Sequence, residues 1–447
     1  MTLEVDLNLV KKYNRPGPRY TSYPTAPQFS TAVGEKEWVE QIQLNNLNAE
    51  RDLSLYFHLP FCDTLCWFCG CTMLVTRNKD KISNYLQHLF KEIDLIAEKI
   101  NSDRRVVQLH LGGGTPTSLT PDQILLLGDK FKDSFKFADD AEIGSEMDPR
   151  ELTEDHIRAL SEAGFNRASL GVQDFNPKVQ KAVNRINSLE MVTGVVDWIR
   201  KYKFQSLNLD LIYGLPHQTT ADFEKTIEQV LKMDPDRLAV FNYAHVPWMK
   251  PHQKLIHESD LPTPEVKLSM LKMIIERLTS AGYVYIGMDH FAKESDELTI
   301  AQNEKSLQRN FQGYSTKSEA DIYGFGMSSI SQLDNIYAQN YKDLPKYYHK
   351  VSSGVLPIEK GYILSDDDKI RQKTIMRLMC DLELDYDHMS KHLGIEFSTY
   401  FKDSLLRMNG FQEDGLLTKS EDKLVITDKG RLYIRNIAME FDAYLDK

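Results

Sequence analysis

Four of the five cysteines in this 447-residue chain fall within ten residues: Cys62, Cys66, Cys69 and Cys71, in the stretch HLPFCDTLCWFCGC at 58–71. The first three follow a C-x3-C-x2-C pattern. Three thiolates so close in sequence can ligate three irons of a [4Fe–4S] cluster from one loop, which leaves the fourth iron without a protein ligand. S-adenosylmethionine (SAM) can chelate such an open iron through its amino and carboxylate groups. One electron from the reduced cluster then cleaves the sulfonium, giving methionine and a 5′-deoxyadenosyl radical able to take an unactivated hydrogen. A structural zinc site is the alternative. A zinc knuckle usually joins two separated ligand pairs, whereas Cys69 and Cys71 are one residue apart, which strains tetrahedral ligation by all four. Trp67 and Phe68, inside the loop, suit stacking on an adenine.

Further polar groups could complete a SAM site. Gly112, Gly113, Gly114 and Thr115, in GGGTPT, offer bare backbone that a ligand can approach closely. Glu146 can take an ammonium, Arg185 a carboxylate, and Gln173 and Asp210 ribose hydroxyls. Each alone also reads as an ordinary polar residue at the end of a strand.

These residues share a position relative to the elements that carry them. Short apolar or alternating runs recur from residue 53: LSLYFHLP, VVQLHLGGGTPT, AEIGSEMDP, RASLGVQDF, SLNLDLIYGLP and RLAVFNYAHVP. Each is bounded by Gly, Pro or Asp. Helical patterns lie between them, among them KISNYLQHLFKEIDLIAEKI and PDQILLLGDKFKDSF, the latter with Thr120 as N-cap and Pro121 at the first helical position. Alternating strands and helices predict a parallel α/β sheet, here a partial (β/α)6 TIM-like barrel, with a doubly wound sheet as competitor. The cysteines follow the first strand and GGGTPT ends the second. Glu146 and Asp148 follow the third, Gln173 the fourth, Asp210 the fifth, and Tyr243 and His245 the sixth. The C-terminal rim of such a barrel is where chemistry collects.

The flanks differ in texture. PGPRYTSYPTAP at 16–27 cannot form a regular helix and reads as an extended strap. Beyond about residue 360, helical stretches precede LLTKSEDKLVITDKG, a hairpin, and RLYIRNIAMEFDAYL, a closing helix, which outlines a small winged-helix-like domain. The expected division is 1–50 strap and helix, 51–350 catalytic barrel with extension, and 360–447 C-terminal domain. From Ser365 to Lys447 there are 13 basic and 17 acidic residues, net −4, which argues against a DNA-reading wing.

The whole chain carries a net charge of −11. That argues against a basic nucleic-acid footprint and against general attraction to anionic membranes, but a few local Arg or Lys residues can still hold an anionic small substrate. No apolar run approaches the ~20 residues of a membrane span, and the first residues show no secretory leader. A cytosolic protein is expected, and a tight cysteine cluster in a reducing compartment points to metal or redox chemistry. His58, His110, His245 and His290 lie near strand ends, where each could be a proton donor or a heme ligand, although a lone His near a strand is more often a satisfied structural residue; Cys380 reads as core.

Taken in order, YFHLPFCDTLCWFCGC, HLGGGTPT, EMDPRE, GVQDFN, DLIYGLP, FNYAHVP, GMDHFA, RNFQGY and IYGFGMSSIS resemble the oxygen-independent coproporphyrinogen III oxidase family of radical SAM enzymes. The resemblance runs from the PGPRYTSYPTA strap to the C-terminal domain. It implies an oxidoreductase of heme biosynthesis that turns two propionates of coproporphyrinogen III into vinyl groups, giving protoporphyrinogen IX. It implies Cys62, Cys66 and Cys69 as ligands of the [4Fe–4S] cluster, and two SAM molecules. Tyr56, Gly113, Glu146 and Ile330 match positions for the cluster-bound SAM. Phe68, Gly114, Thr115, Gln173, Arg185, Asp210 and Ala244 match positions for the second. Cys71 matches a fourth cysteine that is not a cluster ligand; it is a catalytic or substrate candidate, serving the substrate or the electron path, with a small buried residue beside the cluster as the plain alternative. Related barrel proteins that carry heme lack the strap and have an aromatic residue where Cys71 stands, so the strap and RNFQGY favour the oxidase. A substrate with four carboxylates needs cations in an acidic protein, and Arg19 and Arg309 are the candidates. An electron donor, an electron acceptor and a monomeric state complete the expectation.

Overall fold

The computed structural model describes residues 6–13, 15–317 and 319–445. Residues 1–5 and 14 of the stretch MTLEVDLNLVKKYN, which carries the expectation of no leader, and the last two residues of the C-terminal domain lie outside this range. Two compact units emerge, one of residues 29–270 with 319–363, the other of 1–28, 271–318 and 364–447.

The larger unit contains the strands read from sequence: β1 (Leu53–Leu59), β2 (Arg105–Gly113), β3 (Lys136–Met147), β4 (Arg167–Gln173), β5 (Ser206–Tyr213) and β6 (Arg237–Asn242). Helices α1 (Lys79–Ala97), α2 (Pro121–Ser134), α3 (Glu154–Ala163), α4 (Leu189–Lys201) and α5 (Thr220–Lys232) occupy the crossovers. Thr120 caps α2 as expected, its hydroxyl accepting the Gln123 N–H while the Gln123 side chain accepts that of Thr120. All six strands pair in parallel and in chain order. The order never reverses, so the sheet is not doubly wound.

Beyond β1 the sheet continues through β7 (Asp321–Phe325), which is parallel to β1, and then the antiparallel β8 (Ile330–Gln332), β9 (Ile336–Asn340) and β10 (Ile358–Ile363). Because β1 is already paired with β2 and β7, the six strands do not close on one another. The barrel is partial.

Side-chain alternation decides what each face of the sheet does. Leu53, Leu55, Phe57 and Leu59 of β1 are buried on one face, as are Leu207, Leu209 and Leu211 of β5. The other face is polar. Ser54 donates to Gln108 Oε1 at 2.9 Å and Gln108 to Glu142 Oε2 at 3.3 Å. Further along stand Tyr56 of β1, His110 of β2 and Glu146 of β3, with Ser169 of β4 and Asp210 of β5 beyond them.

In the smaller unit the strap is irregular from Arg15 to Thr25, because its prolines cannot donate to a helix. It is anchored by its tyrosines. The Tyr20 hydroxyl donates to Asp442 Oδ2 at 2.8 Å, and the Tyr23 hydroxyl accepts the Ala443 N–H at 2.9 Å. Helices Asp366–Asp381, Tyr386–Leu393 and Lys402–Glu413 pack with a three-stranded sheet formed by Glu383–Asp385, Lys423–Ile426 and Leu417–Lys419. The hairpin and the helical, winged-helix-like outline follow the expectation. The closing helix does not. RLYIRNIAMEFDAYL breaks into a 3-10 turn at Lys429–Tyr433, a short helix Ile434–Ala438 and a second 3-10 turn at Met439–Phe441. Ile434, Asn436, Ile437, Ala438, Met439, Glu440 and Phe441 are all buried. With contacts on every side, packing rather than an amphipathic period sets this backbone. Cys380 is core, buried with Ile286, Leu298 and Leu307. No helix among the described residues is long and apolar enough to cross a membrane.

Candidate active site

The cysteine loop leaves β1 through Pro60 and Phe61 and is fastened to the end of β2. The Gly114 N–H donates to Leu59 O at 2.8 Å and the Thr115 N–H to Phe61 O at 2.7 Å. Each of the three motif sulfurs then meets a donor. Cys62 Sγ lies 3.4 Å from the Thr115 hydroxyl. Cys66 Sγ accepts from Arg150 Nη2 at 3.2 Å and Arg185 Nη1 at 3.5 Å. Cys69 Sγ accepts the Cys71 N–H at 3.4 Å. Burial pushes the Cys62 thiol up to about 12. Between Cys69 and Cys71, a hydrogen bond from the Cys71 thiol favours the thiolate on Cys69 and holds Cys71 protonated.

This environment fits an iron–sulfur cluster, whose thiolate ligands are stabilised by N–H and O–H donors. Cys62, Cys66 and Cys69 are the residues that would hold it. Among the described residues no group of three or more Cys, His, Asp or Glu converges on a single ion. A cubane, whose irons stand apart, requires no such convergence.

At the glycine run, Glu146 Oε2 accepts the Gly113 N–H at 3.2 Å, and its Oε1 lies 3.5 Å from His110 Nε2. A Cβ on Gly112 would stand 3.0 Å from Glu146 Oε1 and 3.1 Å from the Tyr56 ring. Gly113 has φ +112°, and a Cβ there would meet the His58 ring at 2.7 Å. Glycine is required at 113, where φ is left-handed and the His58 ring leaves no room, while at 112 a side chain would have to push the Glu146 carboxylate or the Tyr56 ring aside. His58 is a satisfied structural residue: its Nε2–H donates to Thr72 O at 2.9 Å, so Nδ1 accepts from the Tyr56 hydroxyl at 3.1 Å. Burial lowers its pKa and keeps it neutral. Gly324 is in register with Tyr56, and a Cβ on Gly324 would lie 2.7 Å from Ile330 O.

A second group forms round Gly171, which sequence reasoning did not single out. A Cβ there would collide with Gln173 Nε2 at 2.8 Å and Arg185 Nη2 at 2.9 Å, and Gly171 is in register with Asp210. Gln173 itself has φ +68°. Its Oε1 and the Arg185 Nε are buried without hydrogen-bond partners, as groups waiting for a polar ligand would be. Asp210 accepts from Asn208 at 2.7 Å and Ser169 at 3.1 Å, and burial pushes its carboxyl up to about 6. Phe68 and Trp67 are half-buried against Val179, Val183, Leu215, Tyr243 and Ile256. Ala244 is exposed just after β6, and His245 pairs with the Tyr243 hydroxyl at 2.9 Å.

Arg19 and Arg309 belong to the smaller unit and lie together there. Arg309 Nε donates to Arg19 O at 3.3 Å, and Arg19 is paired with Asp289. Arg309 is buried, sits 4.7 Å over the Tyr314 ring, and leaves Nη1 without a hydrogen-bond partner.

Two supports escaped sequence reasoning. Asp148 holds both guanidiniums at Cys66, accepting from Arg150 Nη2 at 2.6 Å and Arg185 Nη1 at 2.9 Å. Burial raises its pKa, but the Arg185 charge and the Arg150 hydrogen bonds outweigh that and hold it below the usual range. The second is a latch from the segment after β6. Gln253 Nε2 donates to Phe68 O at 2.9 Å, His252 Nε2 to Cys69 O at 2.7 Å, and Lys250 Nζ to Cys71 O at 2.9 Å.

The comparisons with known proteins agree with this geometry. Residues 56–230 match the Radical SAM superfamily and residues 364–433 the HemN C-terminal domain, so the barrel and its cysteine loop are those of a radical SAM protein. An oxygen-independent coproporphyrinogen III oxidase of Synechocystis is 47% identical, over 99% of this chain and 96% of its own length. Proteins of the same name from Escherichia coli and Helicobacter pylori are 46% and 44% identical over 99% of this chain. The solved structure of the E. coli enzyme, described as a radical SAM enzyme, superposes with a TM-score of 0.95 over 100% of both chains. The chain belongs to the oxygen-independent coproporphyrinogen III oxidase family.

Proposed function

We propose that this protein oxidatively decarboxylates two propionate side chains of coproporphyrinogen III to vinyl groups, yielding protoporphyrinogen IX for heme synthesis. The observation that carries the reading is the cysteine loop with a donor at each of three sulfurs, in a chain that matches the named oxidases over nearly its whole length. When bound, the cluster and SAM supply the radical that removes a hydrogen from the propionate, and carbon dioxide then leaves.

The chain's own residues do the positioning. Cys62, Cys66 and Cys69 hold the cluster. Glu146, fixed by the Gly113 N–H, faces the ammonium of the first SAM, beside Tyr56, Gly113 and Ile330. A second SAM is held by Phe68, Gly114, Thr115, Gln173, Arg185, Asp210 and Ala244. The unpartnered Gln173 Oε1 and Arg185 Nε and the mutual contact of both residues with Gly171 support that second site. Arg19 and Arg309 take substrate carboxylates, and Cys71 stays out of the cluster. The functional division remains 1–50, 51–350 and 360–447. The reading includes an electron donor and an electron acceptor, a monomer, and a cytosolic location. Equilibrium dialysis of the reconstituted protein against labelled SAM tests the count: two molecules per chain are expected, and one would remove the second site.

A further inference from the structure

Cys66 is the most enclosed of the three motif cysteines, at 7% exposure, and two guanidiniums aim at its sulfur. Arg150 Nη2 is 3.2 Å away and Arg185 Nη1 3.5 Å. Both are tied to one carboxylate, Asp148, itself 7% exposed. Guanidiniums stay protonated in proteins, so the hydrogen-bonded trio of two arginines and one aspartate carries a net charge of +1 against that sulfur. Arg185 is also held by Gly171 O. Arg150 is held on two sides: its Nε and Nη2 donate to Asp148, and its Nη1 donates to Asn184 O at 3.3 Å, while the Asn184 side chain in turn donates to Leu65 O of the cysteine loop at 2.8 Å.

We propose that Arg150 is a positioning residue that sets the reduction potential of the cluster. The inference rests on the ligand assignment made above. A donor hydrogen bond and a positive charge at a ligand sulfur stabilise the more negative, reduced cluster, because hydrogen bonds to the sulfurs and net charge are what tune such potentials. Reduction adds one electron from an external one-electron reductant and moves no other bond. The extra negative charge falls beside Arg150, whose own charge is secured by Asp148. Without Arg150 the remaining Arg185–Asp148 pair is neutral, and the reduced state loses its nearest compensating cation.

The alternative role is purely structural, through Asn184 and Leu65, and the two are separable. Wild type, Arg150→Met and Arg150→Lys are reconstituted anaerobically with iron and sulfide. Iron and sulfide content is assayed, and each cluster is titrated electrochemically with dithionite under electron paramagnetic resonance. The expected result is full loading in all three. At the poise that half-reduces wild type, the ratio of reduced to oxidised cluster falls about tenfold in Arg150→Met, a shift of about 59 mV for one electron. Arg150→Lys, which keeps the charge but not the planar fork, falls between. If only the Met variant fails to load, the Lys variant decides by the same comparison. A midpoint equal to wild type in a loaded variant, or loss of the cluster from both, overturns the inference. Failure of wild type itself to take up a cluster overturns the ligand assignment instead.

Discussion

The Gly113 N–H is bonded to Glu146 Oε2 at 3.2 Å, so the acid of the third strand is clamped to the glycine run of the second. That bond orients the carboxylate without consuming it, and its other oxygen remains to meet a cation. Replacing Glu146 with Gln keeps an acceptor for Gly113 and removes the charge. SAM affinity should fall roughly ten- to a hundredfold, equivalent to about 1.5–3 kcal/mol for a hydrogen bond to a charged group. Tm should move by no more than a few degrees. Calorimetric binding of SAM to the reconstituted protein reads the first and thermal unfolding the second. Unchanged affinity would take Glu146 out of the site.

The cysteines divide three to one. Cys62→Ser, Cys66→Ser and Cys69→Ser should each abolish the iron–sulfur absorption after reconstitution, while Cys71→Ser should retain it. Visible absorption with iron analysis suffices. A full cluster in any of the first three, or none in the fourth, contradicts the assignment.

Much of this was legible beforehand, for physical reasons. Each of the six strands announces itself as a run of four or more apolar or alternating residues closed by a turn residue, and local sequence determines both features. The cysteine loop was legible because its ligands are consecutive in the chain. The Asp148–Arg150–Arg185 support was not, because it joins a turn after β3 to a loop after β4 and only folding makes them neighbours. Nor was the latch of Lys250, His252 and Gln253 on the carbonyls of 68, 69 and 71, since backbone acceptors leave no mark in a sequence. Gly171 looked like any strand glycine until its neighbours were placed. One signal was available and went unread: Glu92 lies on the stripe of α1 that also presents Leu89, Ile93 and Ile96, all buried, so helical spacing alone puts a carboxylate in the core.

That carboxylate makes stability depend on pH. Glu92 accepts from the Gly326 N–H at 2.8 Å, Asn340 Nδ2 at 2.7 Å and the Tyr347 hydroxyl at 2.6 Å. Burial nevertheless pushes its pKa from 4.5 up to about 7. The folded state therefore binds the proton more tightly than the unfolded one. Its contribution is complete below about pH 4.5 and is lost as pH rises to about 7, by no more than roughly 3 kcal/mol. In Glu92→Gln that part of the pH dependence should vanish. Urea unfolding at pH 5 and pH 7.5 measures it. An equal slope in variant and wild type would show that the group does not titrate there.

Arg309, buried with an unpartnered Nη1 over Tyr314, is the stronger of the two candidates for a substrate carboxylate. Arg309→Gln and Arg19→Ala should each raise the KM for the porphyrinogen severalfold or more and leave the KM for SAM nearly unchanged. Parallel kinetics with each substrate varied in turn would check this. A variant with wild-type values for both would leave the pocket without that residue.

The central claim is tested most directly by product analysis. The protein is reconstituted anaerobically with iron and sulfide and given SAM, a strong reductant, an electron acceptor and coproporphyrinogen III, and products are followed by mass spectrometry. The account predicts stepwise loss of two carboxyl groups from the porphyrinogen with matching formation of 5′-deoxyadenosine. SAM cleavage without decarboxylation, or tight heme binding with no cleavage at all, would contradict it.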